Sequence, residues 1–403
     1  MDHPSLGQSF RRLWTASCLS QLGDGAFVTA LPLLAASISH DPMSTSIVEF
    51  SLSVPWLMFA LLSGAPVDRW DRATVMWRVD LIRFGITAGL ATAIVTGSLT
   101  IAALAAFGFL LGTAETMFDT AALSVLPELV GDDPTRLTHA NVRLGGASVA
   151  ARGFAGPAAG AGGFAIAPVV PVIANAASFI ASAILLRTIP PTSTAAHTTR
   201  HTSLVSMDWV GLRWLTHHPE LATLAIATAT INFATAASTT FVVLYLREAA
   251  HARTVGYALI LVSAAVGALG GNLIAERHPM TLRHPTILPV AVASIGVALI
   301  TIGIVPNTFA IAICFTVVGL AGEIWNITTV TRRQHLVPQE LLGRVHSAYR
   351  LLAYGATPIG AIAGGLIARY FGLAATFLTG GGLLLATAIT LEQAQRHQTS
   401  SQH

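Results

Sequence analysis

The sequence predicts an all-α integral membrane protein with twelve transmembrane helices in two pseudo-symmetric six-helix bundles. Only 10% of its 403 residues are charged and 53% are hydrophobic, whereas about a quarter of a typical soluble protein is charged. The mean hydropathy is correspondingly high, at +0.66. One long hydrophilic stretch, residues 188–213, contains IPPTSTAAHTTRHTS and divides the apolar segments into six and six.

The apolar segments have the length of membrane-spanning helices. A helix crosses the hydrocarbon core with about 20 apolar residues. Turn and charge signals divide the sequence into twelve such segments: 13–35, 46–66, 74–96, 100–123, 144–165, 169–187, 220–245, 255–275, 285–304, 308–330, 346–368 and 371–391. The hydrophilic stretch is rich in Pro, Thr and His, which is typical of a flexible linker. We therefore predict an N-terminal bundle of residues 1–187, a cytoplasmic linker of residues 188–213 and a C-terminal bundle of residues 214–403.

The arginines orient the predicted helices. All 22 basic residues are arginines. With the N-terminus inside the cell, most of them fall in or beside cytoplasmic segments, and only Arg247, Arg253 and Arg369 fall at the outer face, as the positive-inside rule requires. Arg11 and Arg12 precede an apolar run that is too long for a secretory signal, which predicts an uncleaved first helix. We expect a multi-pass protein of the inner (plasma) membrane with both termini in the cytoplasm.

The two halves of the sequence match at an offset of 208 residues. Polar residues inside or beside the predicted spans coincide in three places: Asp24 with Asn232, Asp68-Arg69 with Glu276-Arg277, and Glu115 with Glu323. Together with the division into six and six spans, these coincidences predict a parallel duplication. Two six-helix halves with a substrate site between them are typical of secondary transporters.

A short charged stretch, SGAPVDRWDRAT at residues 63–74, lies between the second and third predicted spans. It resembles the signature loop of the major facilitator superfamily, G-x-x-x-D-R-x-x-R, with Gly64, Asp68, Arg69 and Arg72 at the fixed positions. Nearly the whole chain resembles the drug-exporter branch that includes macrolide-efflux and enterobactin-exporter proteins. The segments that carry this resemblance are QLGDGAFVTALPLL, DLIR, LPELV, RLTHAN, GPAAG and WNITTVTRRQHLVPQELLGRVHSAYRLLAYGATPIGAIAGG.

The resemblance implies the major facilitator fold, a monomer without cofactors, and proton-coupled export of small amphipathic molecules by alternating access. It also implies a cytoplasmic gating motif, for which we expect these residues: Gly64, Asp68, Arg69, Arg72, Asp80 and Arg83. Asp68 would bear on the N-terminal end of span 11, near residues 344–349, where a helix dipole favours an anion. Arg69 or Arg72 would pair with an acidic residue at the end of span 4 or with Asp80.

Four carboxylates inside predicted spans are candidates for coupling. A charge at mid-membrane is costly and usually faces a cavity or a partner. Asp24 lies near mid-depth between two glycines, where it would bind a proton or a substrate cation, or hold a neighbouring helix. Glu115 and Glu323 reach similar depths in matched helices. Asp119 lies one turn from Glu115, so that one of the two would keep a proton; alternatively, Asp119 pairs with a loop arginine.

Arg152 is the one arginine that we place well inside a predicted span. It needs a counter-charge, for which Glu115, Asp119 and Asp24 are candidates, and the ion pair would be structural or switching. Two neutral side chains, Asn232 and Asn326, would line the cavity or hold helices together.

A glycine–proline pattern in span 5 resembles the antiporter motif of the superfamily, although Arg152 stands where that motif has a glycine. We expect Gly156, Pro157 and Gly160 to give either a helix bend or close helix packing. Pro358 in span 11, with glycines after it, is expected to play a similar part.

Several function classes lack support in the sequence. No Walker A loop is present, so ATP is not expected to drive the protein, and neither a metal-ligand spacing nor a catalytic triad or dyad predicts an enzyme. The net charge of +3 does not indicate nucleic-acid binding, because the arginines follow membrane topology. The expected partners are a small-molecule substrate, protons and the bilayer. Two alternatives to export stay open: import of a small nutrient with protons, and a non-transport membrane protein of the same fold.

Overall fold

The computed structural model describes residues 7–60, 71–131, 134–190, 209–249, 254–278, 284–338 and 341–400, and within them it contains helices and no strand. The α-helices are α1 (Gly7–Ile38), α2 (Pro42–Ala60), α3 (Arg72–Val95), α4 (Ile101–Val130), α5 (Pro134–Ser148), α6 (Gly156–Ile166), α7 (Val170–Arg187), α8 (Trp209–His217), α9 (Pro219–Thr239), α10 (Val242–Glu248), α11 (Thr254–Arg277), α12 (Ile287–Ile304), α13 (Thr308–Leu336), α14 (Leu342–Phe371) and α15 (Leu373–Ser400). A π-helical turn, Val149–Ala155, joins α5 to α6.

Nine helical segments of the described chain are long and apolar enough to cross a membrane. The three other predicted spans are also helical where the structure describes them, but each departs from a plain apolar helix. Span 46–66 extends beyond the described residues, span 74–96 carries several charges, and span 144–165 is divided among α5, the π-helical turn and α6. The all-α prediction is confirmed for the described residues.

The chain forms two compact units. Unit 1 comprises Met1–Ile38 and Ser51–Ser206, and unit 2 comprises Ser39–Phe50 and Met207–His403. The predicted linker lies mostly outside the described residues, so the predicted domain limits stay a prediction.

Local sequence signals set the helix ends. Asp71 accepts a hydrogen bond from the Thr74 amide at 2.8 Å and caps α3. Asn307 accepts from the Phe309 and Ala310 amides at 3.0 and 3.2 Å and caps α13. These side chains satisfy amides that have no partner inside the helix. Gly372, with a φ of +87°, ends α14 and allows the chain to turn at once into α15.

The π-helical turn lies directly before Pro157. The Gly156 amide donates to the Ala151 carbonyl, five residues back. Proline has no amide hydrogen, and its ring collides with the carbonyl four residues earlier, so the normal α-helical bonding cannot continue through it. A widened turn accommodates this conflict, and such turns are frequent at functional sites. The turn carries Arg152.

Glycines bring α1 against its neighbours in unit 1. A Cβ atom on Gly160 would lie 2.4 Å from the Ala26 carbonyl oxygen, and one on Gly156 would lie 2.7 Å from the Gly25 Cα. A Cβ on Gly23 would meet the side chains of Asn175 and Ser178 in α7 at 2.5 and 2.1 Å. Small residues allow backbones inside a membrane to approach this closely. The close-packing expectation for Gly156 and Gly160 therefore has direct geometric support.

Unit 2 uses the same device between α9 and α14. Cβ atoms on Gly360 and Gly364 would lie 2.3 and 2.2 Å from the carbonyl oxygens of Phe233 and Ala237. In both units, two glycines four residues apart thus press against the first long helix. This similarity supports the predicted duplication. Pro358 lies two residues before Gly360, inside α14.

We predict that Gly160→Ala destabilises the protein by about 1–3 kcal/mol, because the added methyl group overlaps the backbone of α1. Gly162→Ala is the matched control, because nothing lies within 4 Å of a Cβ at that exposed position. Thermal unfolding of the two variants in detergent, followed by size-exclusion chromatography, measures the difference. Equal midpoints would contradict the packing argument.

Candidate functional site

Six ionisable side chains lie together inside unit 1, and four segments supply them. α1 supplies Asp24, α3 supplies Asp80 and Arg83, α4 supplies Glu115 and Asp119, and the π-helical turn supplies Arg152. We call this group the Asp24 cluster. All four carboxylates interact electrostatically with Arg83.

Arg83 is the central cation of the Asp24 cluster. It is only 2% exposed. Its Nη1 lies 3.8 Å from Oδ2 of Asp24 and 3.7 Å from Oδ1 of Asp80. The guanidinium carbon lies 5.3 and 4.8 Å from the ring centres of Phe118 and Phe179. Two carboxylates and two aromatic faces therefore share one buried positive charge.

Arg152 forms an ion pair with Glu115, one of the three partners that the sequence suggested. The Arg152 side chain is 40% exposed and that of Glu115 is 17% exposed. This pair is therefore more accessible than the pair of Arg83 with Asp24. A more accessible ion pair can exchange partners at a smaller desolvation cost.

Asp119 lies one turn from Glu115 and interacts electrostatically with Glu115, Arg83, Arg152 and Asp24. Among the described residues, no arginine lies within ion-pair distance of it. With all groups ionised, the cluster carries four negative charges and two positive charges. A proton or a bound cation is needed to reduce this imbalance in a poorly solvated site.

The glycines around Asp24 explain its position. Gly23 faces α7, and a Cβ on Gly25 would lie 3.0 Å from the Arg152 Cα. With side chains of α7 against Gly23 and the backbone of the π-helical turn against Gly25, the Asp24 side chain is left to reach Arg83. Asn175 of α7 is fully buried beside this site, and its amide nitrogen has no hydrogen-bond partner among the described residues.

A narrow cleft opens beside the Asp24 cluster. The charged or polar side chains in its wall are Asp24, Arg83, Glu115, Arg152 and Asn175. The apolar ones are Phe27, Val28, Leu52, Leu111 and Phe179. Small-molecule sites usually combine such an apolar wall with a few fixed polar groups.

Unit 2 places its candidate residues differently. Asn232, which matches Asp24 at the 208-residue offset, donates to the Ala353 carbonyl at 2.7 Å and ties α9 to α14. Glu323 accepts a hydrogen bond from Asn272 of α11 at 3.1 Å, and no arginine of the described chain lies within ion-pair distance of it. Asn326 is exposed.

Some of the proposed gating motif cannot be described. Gly64, Asp68 and Arg69 lie outside the described residues, and so does the expected contact of Asp68. Arg72 is the first residue of α3. Asp80 and Arg83, which the sequence analysis grouped with this motif, belong to the Asp24 cluster by position.

Two sets of residues were missed at the sequence level. The first is the buried pairing of Arg83 with Asp24; the i, i+3 spacing of Asp80 and Arg83 in DLIR would have suggested only their own pairing. The second is a polar network in unit 2. The Arg333 guanidinium lies 3.7 Å from the Tyr349 ring centre, the Tyr349 hydroxyl hydrogen-bonds Thr228, and Trp325 Nε1 donates to Thr228 at 3.1 Å.

The described chain contains no group of three or more histidine, cysteine or acidic side chains that would hold a metal ion.

Comparison with known sequences gives a match over almost the entire chain. The profile of the family described as transmembrane secretion effector matches residues 3–403. The multidrug efflux pump Tap of Mycobacterium tuberculosis is 29% identical over 400 residues, which cover 94% of this chain and 91% of Tap. The enterobactin exporter EntS of Salmonella typhimurium is 25% identical, with 96% of this chain and 92% of EntS covered.

Solved structures of transporters share the fold. A mutant of the nucleoside transporter NupG superposes with a TM-score of 0.75 at 14% identity, covering 96% of this chain and 100% of the other. A bacterial homologue of the iron transporter ferroportin gives a TM-score of 0.73 at 17% identity, covering 95% and 98%. These likenesses show the fold alone, and they confirm the predicted major facilitator architecture of twelve transmembrane helices.

We predict that Arg83→Gln is strongly destabilising, by about 3–5 kcal/mol, because it leaves Asp24 and Asp80 buried without their cation. Adding Asp80→Asn should recover part of this loss by removing one of the two stranded charges. Thermal unfolding of wild type, Asp80→Asn, Arg83→Gln and the double variant gives the coupling free energy. Additive effects would show that Arg83 and Asp80 do not interact.

Proposed function

The chain belongs to the transmembrane secretion effector family of the major facilitator superfamily, and we propose that it exports small amphipathic molecules in exchange for protons by alternating access. Membership of this family makes it a multi-pass membrane transporter and not an enzyme. The observation that carries the proposal is the Asp24 cluster, with its surplus of two negative charges.

The charge surplus supports proton exchange. Four carboxylates in a poorly solvated site cannot all stay ionised cheaply when only two arginines face them. Asp119 lacks an ion-pair partner among the described residues, and Asp24 shares Arg83 with Asp80. Asp24 and Asp119 are therefore our proposed proton carriers.

The two arginines provide a way to couple proton and substrate. If Asp24 takes a proton, Arg83 keeps Asp80 as its partner, so the buried cation stays neutralised. If a cationic substrate group approaches the cleft, Glu115 can exchange Arg152 for it, because that ion pair is partly exposed. Protonation of Asp24 or Asp119 and cation binding at Glu115 would each reduce the surplus negative charge of the cluster, so that each would disfavour the other.

The lining of the cleft supports the substrate class. Aromatic and aliphatic side chains favour an apolar body, and Asp24 and Glu115 favour a positively charged group. Tap is named a multidrug efflux pump and EntS an enterobactin exporter, which favours export over import of a nutrient. Both the proton gradient and the membrane potential, about 2.3 kcal/mol per charge per 100 mV, would drive such an exchange.

The remaining candidate residues have proposed supporting roles. Glu323 would be a second coupling carboxylate in unit 2, and Asn232 would hold α9 against α14. Gly64, Asp68, Arg69 and Arg72 would form the cytoplasmic gating motif. Both termini would lie in the cytoplasm.

Transport in everted membrane vesicles tests the proposal. With a fluorescent cationic dye, an imposed pH gradient, acid inside, should drive dye uptake by the wild type. We expect Asp24→Asn to abolish this dependence on the gradient, because the variant can no longer bind the exchanged proton, and we expect Asp119→Asn, Glu115→Gln and Glu323→Gln to weaken it.

Glu248→Gln provides the control, because Glu248 is an exposed carboxylate at the end of α10 and belongs to none of the proposed functional groups. That variant should transport like the wild type. Unchanged gradient-driven uptake in all four variants, the three of the Asp24 cluster and Glu323→Gln, would refute the proton assignment. Gradient-driven dye movement in the opposite direction would favour an importer.

A further inference from the structure

Two exposed arginines flank one tryptophan at the arginine-rich end of unit 1. The guanidinium carbons of Arg78 and Arg187 lie 5.4 and 6.0 Å from the centre of the Trp77 ring. Arg78 is near the start of α3, and Arg187 is the last residue of α7, which packs against α3. Two positive charges thus converge on one aromatic surface.

Neither arginine is neutralised within the described part of the chain. No carboxylate lies within ion-pair distance of Arg78 or Arg187 there, and both side chains are exposed. A third arginine lies close by and adds to the positive charge. Arg12 of α1 donates a hydrogen bond to the carbonyl of Thr188, the residue after Arg187. Three guanidinium groups therefore bring positive charge together at this end of unit 1.

The tryptophan is a fixed support. Trp77 is partly buried and packs against the hydrophobic core of unit 1, which includes Met76, Val79 and Leu186. Its exposed face is left for the arginines. Tryptophan is enriched at the boundary between hydrocarbon and headgroups, so this ring marks the depth at which a headgroup lies.

An apolar strip begins one turn further into the membrane. Leu81 and Ile82 of α3 are 45% and 57% exposed, and Ile184 of α7 is 62% exposed. Ile82 lies four residues after Arg78, and Ile184 three residues before Arg187, so each lies on the same helix face as its arginine. The positively charged surface and the apolar surface therefore follow one another in the same order as the headgroup and the acyl chains of a phospholipid.

We propose that this site binds one anionic phospholipid, with its phosphate between Arg78 and Arg187 and an acyl chain along Leu81, Ile82 and Ile184. Basic pockets between transmembrane helices are known to hold anionic headgroups. A soluble anion would use the arginines but leave the apolar strip without an occupant. A negatively charged lipid fits both parts of the surface, and the strip lies where lipid contacts a membrane protein.

The proposal does not depend on the transport mechanism. It uses residues outside the Asp24 cluster, and its test measures lipid binding and no flux. The two proposals can therefore fail separately.

Native mass spectrometry of the full chain tests lipid binding. The protein is reconstituted in nanodiscs of equal parts phosphatidylglycerol and phosphatidylcholine, transferred to detergent, and analysed for retained lipid. We expect preferential retention of phosphatidylglycerol by the wild type. Each arginine near the headgroup should contribute about fivefold in affinity, so Arg78→Gln with Arg187→Gln should lower the retention roughly 25-fold.

A matched control removes two other exposed arginines, Arg213 and Arg277 of unit 2, by substitution with Gln. This variant should retain phosphatidylglycerol like the wild type, and Arg78→Lys with Arg187→Lys should retain most of it because the charges persist. If the double Gln variant does not fold, the two single variants replace it.

Three results would overturn the proposal. The first is equal retention of phosphatidylglycerol by the wild type and the Arg78 and Arg187 variants. The second is an equal loss in the control pair. The third is displacement of the retained lipid by inorganic phosphate, which would assign the arginines to a soluble anion.

Discussion

The sharing of Arg83 between Asp24 and Asp80 is the interaction on which the architecture of unit 1 depends. A buried charge without a partner is far more costly than any single apolar contact, so α1 and α3 must be held where their charges meet. The glycines at positions 23, 25, 156 and 160 make this possible, because they let α1 approach the π-helical turn and α6 at backbone distance and leave room for side chains of α7. Packing and charge are thus two parts of one constraint.

The same constraint explains the difference between the two units. Both use pairs of glycines to bring an early helix against a late one. At the position matching Asp24, unit 2 has Asn232, a neutral side chain that donates a hydrogen bond to the Ala353 carbonyl. With no charge to neutralise, unit 2 needs no counterpart of Arg83 there. Its buried Arg333 packs instead against the Tyr349 ring. One packing scheme therefore supports two kinds of polar interior.

Much of this could be read from the sequence, for identifiable reasons. Apolar runs of membrane length fixed the helices, and rarity of charge inside them singled out Asp24, Glu115, Asp119 and Arg152. The partner of Arg152 was restricted to three carboxylates but not chosen, because the choice depends on the side-chain direction at a π-helical turn. The pairing of Arg83 with Asp24 was not predicted, because it joins residues 59 positions apart in sequence, a contact that no local spacing reveals.

The central claim is that the Asp24 cluster exchanges protons for a positively charged ligand. Proton release on binding is its most direct measure, because linkage requires that ligand and proton affect each other equally. Purified protein in weakly buffered detergent is mixed with a fluorescent cationic dye while a pH indicator is followed. The account predicts proton release with the wild type and none with the Asp24→Asn, Asp119→Asn double variant. Dye binding by the wild type without any proton release would contradict it.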